Sequence, residues 1–311
     1  MNFFSALTDK IFAYLVCVSK SKTEFVLETE PRSIGKISVG RQMVNGKINL
    51  VGQIIRHKDE IWNLKADKKS FLKKIHSFDW VDDLAALGTL EARRFAQNWL
   101  SLWMSKYSAG SGPGWTAELT GMRLVRWTHH YLFLTQGLSE ENLKKFNLLL
   151  ARQANFLSKR AIKASAGLPR FEALLGLIYA GCYLKNLEKF VEPATVALAN
   201  ECRHLSSTDE IVLSRNPQEI LNIFTILIWA KLALKDSNWN PSATHLETIE
   251  KLAPILRHLR HSDAGLPRFH GSCGDVDGQL DQALSHAENR ETSRNELSVG
   301  FARLSNSRTT I

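Results

Sequence analysis

Apolar residues recur every three or four positions along most of this chain after Trp62. This spacing places them on one face of a helix. Examples early in the pattern are Leu84, Leu87, Leu90, Phe95, Trp99, Leu102 and Trp103. The pattern predicts successive helices over residues 81–107, 116–136, 140–163, 168–184, 190–205, 216–235 and 243–261. Helices in series with short loops predict stacked αα-hairpins, arranged as an open solenoid or a closed toroid.

The two ends of the chain lack this spacing. Residues 22–64 contain short β-prone pieces, at 24–28 and 47–55, broken by Gly35, Gly40, Gly46 and Gly52. They predict an irregular or extended lead-in over residues 1–64 before a helical domain over residues 65–270. After Phe269 a glycine-rich loop follows, and residues 298–311 alternate like a strand. Because a domain that ends on an unpaired strand leaves backbone groups without partners, we expect residues 271–311 to begin a truncated further domain.

The net charge restricts the partners. A formal charge of +9 and a pI near 9.4 favour polyanions, that is, nucleic acid, anionic lipid or acidic polysaccharide. The lysines are scattered apart from a run at residues 65–74, which argues against a nucleic-acid stripe. Phosphate-binding loops, HExxH pairs and GxSxG elbows are missing from the sequence, so nucleotide hydrolases, zinc proteases and α/β-hydrolases have no support.

The cysteines and the N-terminus add expectations about cofactors and location. Cys17, Cys182, Cys202 and Cys273 form no CxxC pair, so we expect no zinc site, no disulfide framework and no cofactor. The apolar run at residues 11–18 is too short to span a bilayer and makes a poor signal peptide. These residues favour a cytoplasmic protein without a membrane span.

Several short segments occur in one collinear order. They are Gly-Arg-Gln at 40–42, His-Ser-Phe-Asp-Trp-Val-Asp-Asp-Leu at 76–84, Arg-Leu-Val-Arg-Trp at 123–127, Ser-Arg-Asn-Pro at 214–217, Leu-Arg-His-Leu-Arg-His-Ser-Asp at 256–263 and Arg-Phe-His-Gly at 268–271. Together they cover nearly the whole chain, which resembles the toroid portion of the heparinase II/III-like polysaccharide lyases of the alphaproteobacterial type.

The resemblance implies an all-α fold, an incomplete (α/α) toroid, followed by a β-sandwich. It implies an acidic, uronate-containing polysaccharide as partner, a location in the cell envelope, and residues 300–304 as the first strand of the sandwich. The remainder of that sandwich would come from a separate chain.

Cleavage of a uronate by β-elimination needs a group that neutralises the carboxylate, a base and an acid. For the neutraliser, the motif favours Arg215 and Asn216. For the base or acid, we propose three imidazoles, those of His258, His261 and His270. Two further guanidiniums could bind carboxylate or sulfate, those of Arg260 and Arg268. The structural alternatives are an N-cap at Asn216 and a solvated basic helix end around residues 257–261.

Two departures from the family pattern leave activity open. The resemblance implies a catalytic Tyr on the toroid, and this chain has no Tyr after Tyr183. An Asp-Gly-Gly turn expected before Ser214 is also absent. The alternatives are therefore a lyase that is inactive because it is truncated, and a non-catalytic helical-repeat scaffold or polyanion-binding protein.

Overall fold

The computed structural model describes residues 3–18, 23–26, 29–55, 61–63, 69–207, 215–271, 277–288, 290, 305–306 and 309–310. The helices are α1 (Phe3–Val18), α2 (Ile37–Val44), α3 (Lys69–His76), α4 (Trp80–Leu87), α5 (Leu90–Tyr107), α6 (Ala117–His129), α7 (Tyr131–Thr135), α8 (Glu140–Arg160), α9 (Leu168–Tyr183), α10 (Val191–Ser207), α11 (Pro217–Asp236), α12 (Ala243–Leu259) and α13 (Gln279–Ser285). Short 3-10 turns lie at Ile61–Asn63, Ala161–Lys163 and Glu188–Phe190. The strands are β1 (Ile48–Leu50), β2 (Gln53–Ile55), β3 (Ser305–Asn306) and β4 (Thr309–Thr310).

The all-α class is confirmed, and each predicted helix is present. The helix predicted over 81–107 is two helices, because Gly88 ends α4 in the left-handed conformation with φ of 68° and Thr89 caps α5 by accepting from the N–H of Ala92. The helix predicted over 116–136 breaks at His130 into α6 and α7. Local features of the chain, such as Gly88, therefore divide helices that the apolar spacing alone predicts as continuous.

Part of the lead-in was predicted wrongly as extended. Residues Phe3–Val18 and Ile37–Val44 are helical. The hairpin of β1 and β2 matches the β-prone piece predicted at 47–55, and Phe25, within the piece predicted at 24–28, forms an antiparallel bridge with Leu184. Gly40 looks like a helix breaker in the sequence. In the structure it lies inside α2, where a Cβ would stand 2.2 Å from the carbonyl oxygen of Asp83 on α4. The close packing of α2 against α4 therefore explains why this position is a glycine.

The C-terminal segment is described only in part. Helix α13 lies within the segment predicted as a linker, and β3 and β4 pair as an antiparallel hairpin. The proposed first sandwich strand at 300–304 and Cys273 lie outside the described residues. The predicted boundaries at 64/65 and 270/271 stay predictions, and so does closure into a toroid. By packing, the chain divides into a first unit of Met1–Ser165 with Glu172–Val191 and a second unit of Ala166–Phe171 with Glu192–Ile311.

The first unit is built around buried aromatic rings that enclose a guanidinium. Trp80, Trp99, Trp103 and Trp127 are fully buried. The guanidinium of Arg123 lies 4.5 Å from the centre of the Trp103 ring and donates to the carbonyls of residues 76 and 114, both at 2.9 Å. Burial lowers the pKa of Arg123 to about 9. Backbone carbonyls and aromatic faces satisfy this cation, so it ties α3, the 114 loop and α6 together.

In the second unit α11 packs on α12. The ring Nε2 of His245 lies 2.9 Å from the carbonyl oxygen of Leu227, and burial lowers the pKa of His245 to about 4. Among the described residues α11 alone has the length and hydropathy to cross a membrane, but 78% of its apolar window is buried within the protein. That burial is typical of the core helix of a globular domain and agrees with the expectation of no membrane span.

Helices α6 and α9 approach each other at two glycines of the first unit. A Cβ on Gly176 would lie 2.4 Å from the Cα of Gly121, which is far inside contact distance. We expect Gly176→Ala to lower the free energy of unfolding by about 3 kcal/mol, measured by urea titration, because backbone would have to move. Gly137 has open space and φ of 83°, so Gly137→Ala should cost only about 1 kcal/mol. Equal, small losses in the two variants would contradict this packing.

Candidate functional site

Asn216 joins two of the predicted segments in the second unit. Its Oδ1 accepts from the N–H groups of Gln218, at 3.0 Å, and Glu219, at 3.4 Å, and so caps α11. Its Nδ2 donates to the carbonyl oxygen of His270 at 3.3 Å. The segment 214–217 and the segment 268–271 therefore meet, although they are far apart in the sequence.

The backbone is unusual on both sides of this contact. Arg215 has φ of 45° and His270 has φ of 49°, a region that residues other than glycine seldom adopt. Such conformations persist where surrounding structure holds them, and they are more frequent at binding sites. The side chains of Arg215, Arg268 and His270 are exposed. We call these three residues the basic surface.

The other predicted residues lie at the end of α12. His258 is half-buried in the last turn of α12, and the N–H of His261 donates to the carbonyl oxygen of Gly265 at 2.9 Å. The guanidinium of Arg260 pairs with Asp281 of α13 at 3.0 Å. Arg260 thus already has a carboxylate partner within the protein. The catalytic roles proposed for these residues remain predictions.

A repeated sequence, Ala-Gly-Leu-Pro-Arg-Phe, occurs at 166–171 and 264–269, both in the second unit. In the first copy Glu201 accepts from the N–H of Gly167 at 2.9 Å and pairs with Arg170 at 2.8 Å. In the second copy Asp263 accepts from the N–H of Gly265 at 3.0 Å. Both turns place a carboxylate on the glycine N–H, but the arginine of the second copy, Arg268, is exposed.

A buried charge network in the first unit was missed by the sequence reasoning. Asp82 accepts from Arg126 at 3.1 Å and from Ser33 at 2.7 Å, and it lies 2.8 Å from the ring of His130. Burial alone would raise the pKa of Asp82, but these partners hold it well below its ordinary value. The signal available in the sequence was three acidic residues, Asp79, Asp82 and Asp83, inside the aromatic segment 76–84.

Tyr, Arg and His also meet in this unit, the types of group that β-elimination uses. The hydroxyl of Tyr179 accepts from Arg32 at 2.6 Å and lies 3.0 Å from Nε2 of His129. Tyr179 is fully buried, burial raises its pKa, and burial lowers the pKa of His129. The contact of Arg32 with Tyr179 holds the lead-in on α9.

No cluster of three or more His, Cys, Asp or Glu suitable for a metal ion occurs in the part of the chain that the structure describes. The two guanidinium groups and the imidazole of the basic surface are suited to binding anions.

No protein-family model matches the chain. One curated protein, FtsZ-localized protein C of Caulobacter vibrioides, is 25% identical over 256 residues, which cover 79% of this chain and 43% of that protein. Among solved structures, heparinase III matches with a TM-score of 0.60 at 14% identity, over 84% of this chain and 45% of that one. The heparan sulfate lyase HepC from Pedobacter heparinus matches with a TM-score of 0.57 at 16% identity, over 85% and 45%.

This chain thus spans less than half the length of each of these three proteins. The likeness to the two lyases confirms a mostly helical fold of the heparinase III type. A shared fold at this level of sequence identity does not show a shared activity.

Asn216 offers a test of its two contacts. We expect Asn216→Ala to lower the free energy of unfolding by about 1 kcal/mol, because the cap of α11 is lost. Asn216→Asp keeps an acceptor for the cap but cannot donate to the carbonyl of His270. Urea titration should therefore place Asn216→Asp near the wild type. If Asn216→Asp lowers the free energy of unfolding as much as Asn216→Ala does, the hydrogen bond donated to His270, rather than the cap, is the main contribution of Asn216 to stability.

Proposed function

We propose that this chain binds an acidic, uronate-containing polysaccharide at the basic surface of its second unit. The observation that carries the proposal is the hydrogen bond from Asn216 to His270, since it gathers three exposed basic side chains from two distant segments. The likeness in fold to heparinase III and to a heparan sulfate lyase supports the same class of ligand.

The chemistry of the basic surface fits carboxylate and sulfate groups. A planar guanidinium can donate two parallel hydrogen bonds to such a group, and Arg215 and Arg268 are exposed to do so. The imidazole of His270 can add a third donor. The strained backbone at Arg215 and His270 fixes where these side chains leave the chain.

Cleavage by β-elimination is the further step of this proposal. The proton beside the uronate carboxylate would pass to one imidazole, a carbon–carbon double bond would form as the bond to the glycosidic oxygen breaks, and a second imidazole would protonate that leaving oxygen. The candidates for these two imidazoles are His270 and, at the end of α12, His258 and His261. Asn216 already uses its oxygen for the cap of α11 and its nitrogen for His270. Arg215 is therefore the better candidate for neutralising the carboxylate.

Binding is tested with heparan sulfate, chondroitin sulfate, hyaluronan and alginate by calorimetry at low ionic strength. We expect Arg215→Ala with Arg268→Ala to weaken binding roughly tenfold or more, because each charge-assisted contact contributes over 1 kcal/mol. The control, Lys144→Ala with Lys145→Ala, removes the same charge from the exposed face of α8. Equal weakening by both double variants would show that binding of the polysaccharide responds to net charge alone, which would contradict the proposed site.

The cleavage step is read in the same samples from the ultraviolet absorbance of the unsaturated uronate that elimination forms. A signal that disappears in His270→Ala would establish a lyase that uses this imidazole. Binding without any such signal would leave a polysaccharide-binding protein on a lyase fold.

A second function is favoured by the sequence relative. FtsZ-localized protein C is matched over 79% of this chain at 25% identity, which exceeds the identity to either lyase. On this ground we propose, as an alternative to cleavage, that the chain serves as a non-catalytic scaffold located with FtsZ. In this role the helices would present binding surfaces without chemistry.

This scaffold function predicts that the protein co-sediments with FtsZ polymers and that a fluorescent fusion follows FtsZ in cells. Arg215→Ala with Arg268→Ala should leave both results unchanged if the polysaccharide and FtsZ use different surfaces. A fusion that is diffuse, together with protein left in the supernatant, would contradict it. The same images decide between the cytoplasm, which the sequence favours, and the cell envelope, which the family resemblance implies.

A further inference from the structure

A pocket of about 420 Å³ lies between α5 and α8, and all of its lining belongs to the first unit. We call it the α5/α8 pocket. Helix α5 packs on α4 and α7, and α8 packs on α1 and α6, whereas α5 and α8 make little contact with each other. The volume left between them is within the range of pockets that hold small-molecule ligands.

The apolar part of the lining is aliphatic. Leu100 and Leu149 are buried, and Met104, Leu138 and Leu148 are half-buried. None of the described residues that line the pocket is aromatic. Leucine and methionine side chains adapt to an alkyl chain, and they offer no ring on which a sugar or a nucleobase could stack. The lining therefore suits a ligand with an alkyl body.

The pocket also contains a buried donor that the protein leaves unused. Arg152 is half-buried, and its Nε is buried without a hydrogen-bond partner in the part of the chain that the structure describes. A buried donor without an acceptor is unfavourable, and a ligand oxygen that accepts from it would remove that penalty. The remaining polar groups differ, because Ser101, Ser105 and Asn142 are exposed and border the pocket where it meets water.

The charge of the pocket is positive. Two of its lining residues are basic, Lys145 and Arg152, and none of the described residues in the lining is acidic. Lys145 is exposed and pairs with Glu141 on its own helix at 2.6 Å, so its charge is already balanced. The guanidinium of Arg152 is therefore the group suited to receive a carboxylate, since it can donate two parallel hydrogen bonds.

Arg152 lies at one end of the pocket. Burial raises the pKa of the Cys17 thiol on α1 to about 11, and the nearby charge of Arg152 partly opposes that rise. The loop at Gly110 closes on Ala13, one turn earlier on α1, since a Cβ at Gly110 would lie 2.4 Å from the carbonyl oxygen of Ala13. Because Ser108 is two residues before Gly110, Ser108 and Arg152 line the same end.

The opposite end is formed by the start of both helices. The Nε2 of Gln97 donates to the carbonyl oxygens of residues 134 and 136, just before Leu138. Helices α5 and α8 therefore run in the same direction along the pocket. From Asn142 to Arg152 the wall on α8 is about 15 Å long. The pocket is thus a narrow channel with its cation at one end and aliphatic side chains along it.

We propose that the α5/α8 pocket binds a small amphipathic carboxylate, a fatty acid of medium chain length. The carboxylate would accept from the guanidinium of Arg152 and the hydroxyl of Ser108, and the alkyl chain would run along the aliphatic lining toward Leu138. Burial of the chain supplies affinity, and the pairing with Arg152 sets its direction.

A helix of a partner protein is a less suitable occupant. With its side chains an α-helix is about 10 Å across, so a length of about 15 Å fills roughly 1,200 Å³. The pocket has a volume of about 420 Å³. Most of such a helix would stand outside the pocket, whereas a single alkyl chain is thin enough to enter it.

The test is calorimetric titration of the full chain with three probes. They are octanoate, 1-octanol, which lacks the charge, and glucuronate, which lacks the alkyl chain. We expect octanoate to bind, and each of the other two to bind roughly tenfold more weakly or less. Arg152→Gln should weaken octanoate binding roughly tenfold, because a charge-assisted contact is lost, and should leave binding of 1-octanol unchanged. The matched control, Arg41→Gln, removes the same charge from an exposed position on α2.

A second variant tests where the ligand lies. Ser105→Leu places a larger side chain at the border of the pocket and should weaken octanoate binding roughly tenfold or more, whereas Ser38→Leu, at an exposed position on α2, should not. Circular dichroism checks that each variant keeps its helix content. A wild type that binds no octanoate overturns the proposal, and so does octanoate binding that survives in both Arg152→Gln and Ser105→Leu. Binding of glucuronate or 1-octanol as tight as that of octanoate also contradicts it, since the ligand would then need only one of the two features.

Discussion

The carboxylate of Asp82 is the interaction on which the arrangement of the first unit depends. A carboxylate buried among indole and phenyl rings is unfavourable unless it is fully paired. Here Arg126 and His130 approach from the end of α6, and Ser33 donates from the lead-in. Removing one partner would leave the others with an uncompensated charge, so the network fixes α4, α6 and the lead-in relative to one another.

The packing of α2 follows from the same arrangement. Asp83, the neighbour of Asp82, accepts from the N–H of Lys36 at 2.8 Å just before α2 begins. Gly35 and Gly40 then allow the chain to pass the backbone of Asp82 and Asp83 without a clashing Cβ. The lead-in is thus held by backbone contact with the acidic segment, and its glycines are required by that contact.

Local patterns in the sequence predicted the helices well and long-range contacts poorly. The spacing of apolar residues and the Asn-Pro pair at 216–217 act within a few residues, so α11 and its cap could be predicted. The contact of Asn216 with His270 spans 54 positions, and that of Ser33 with Asp82 spans 49. Neither contact produces a periodic pattern in the nearby sequence. The same limit explains why Gly40 was taken for a chain breaker and why residues Ile37–Val44 were predicted as extended.

Residue type alone was also a poor guide to function. The Tyr, His and Arg that would suit a lyase are Tyr179, His129 and Arg32, and burial makes them structural. Arg170 and Arg268 occupy the same place in the two copies of a repeated turn. Glu201 of α10 pairs with Arg170, whereas the side chain of Arg268 is exposed. What separates a binding group from a structural one here is whether the protein already supplies its partner.

At the basic surface attraction to a polyanion comes almost wholly from charge, so added salt weakens it steeply. A chain with a net charge of +9 will attract many polyanions, so charge alone confers little selectivity. Selectivity at the basic surface must therefore come from where the backbone places the guanidinium groups of Arg215 and Arg268.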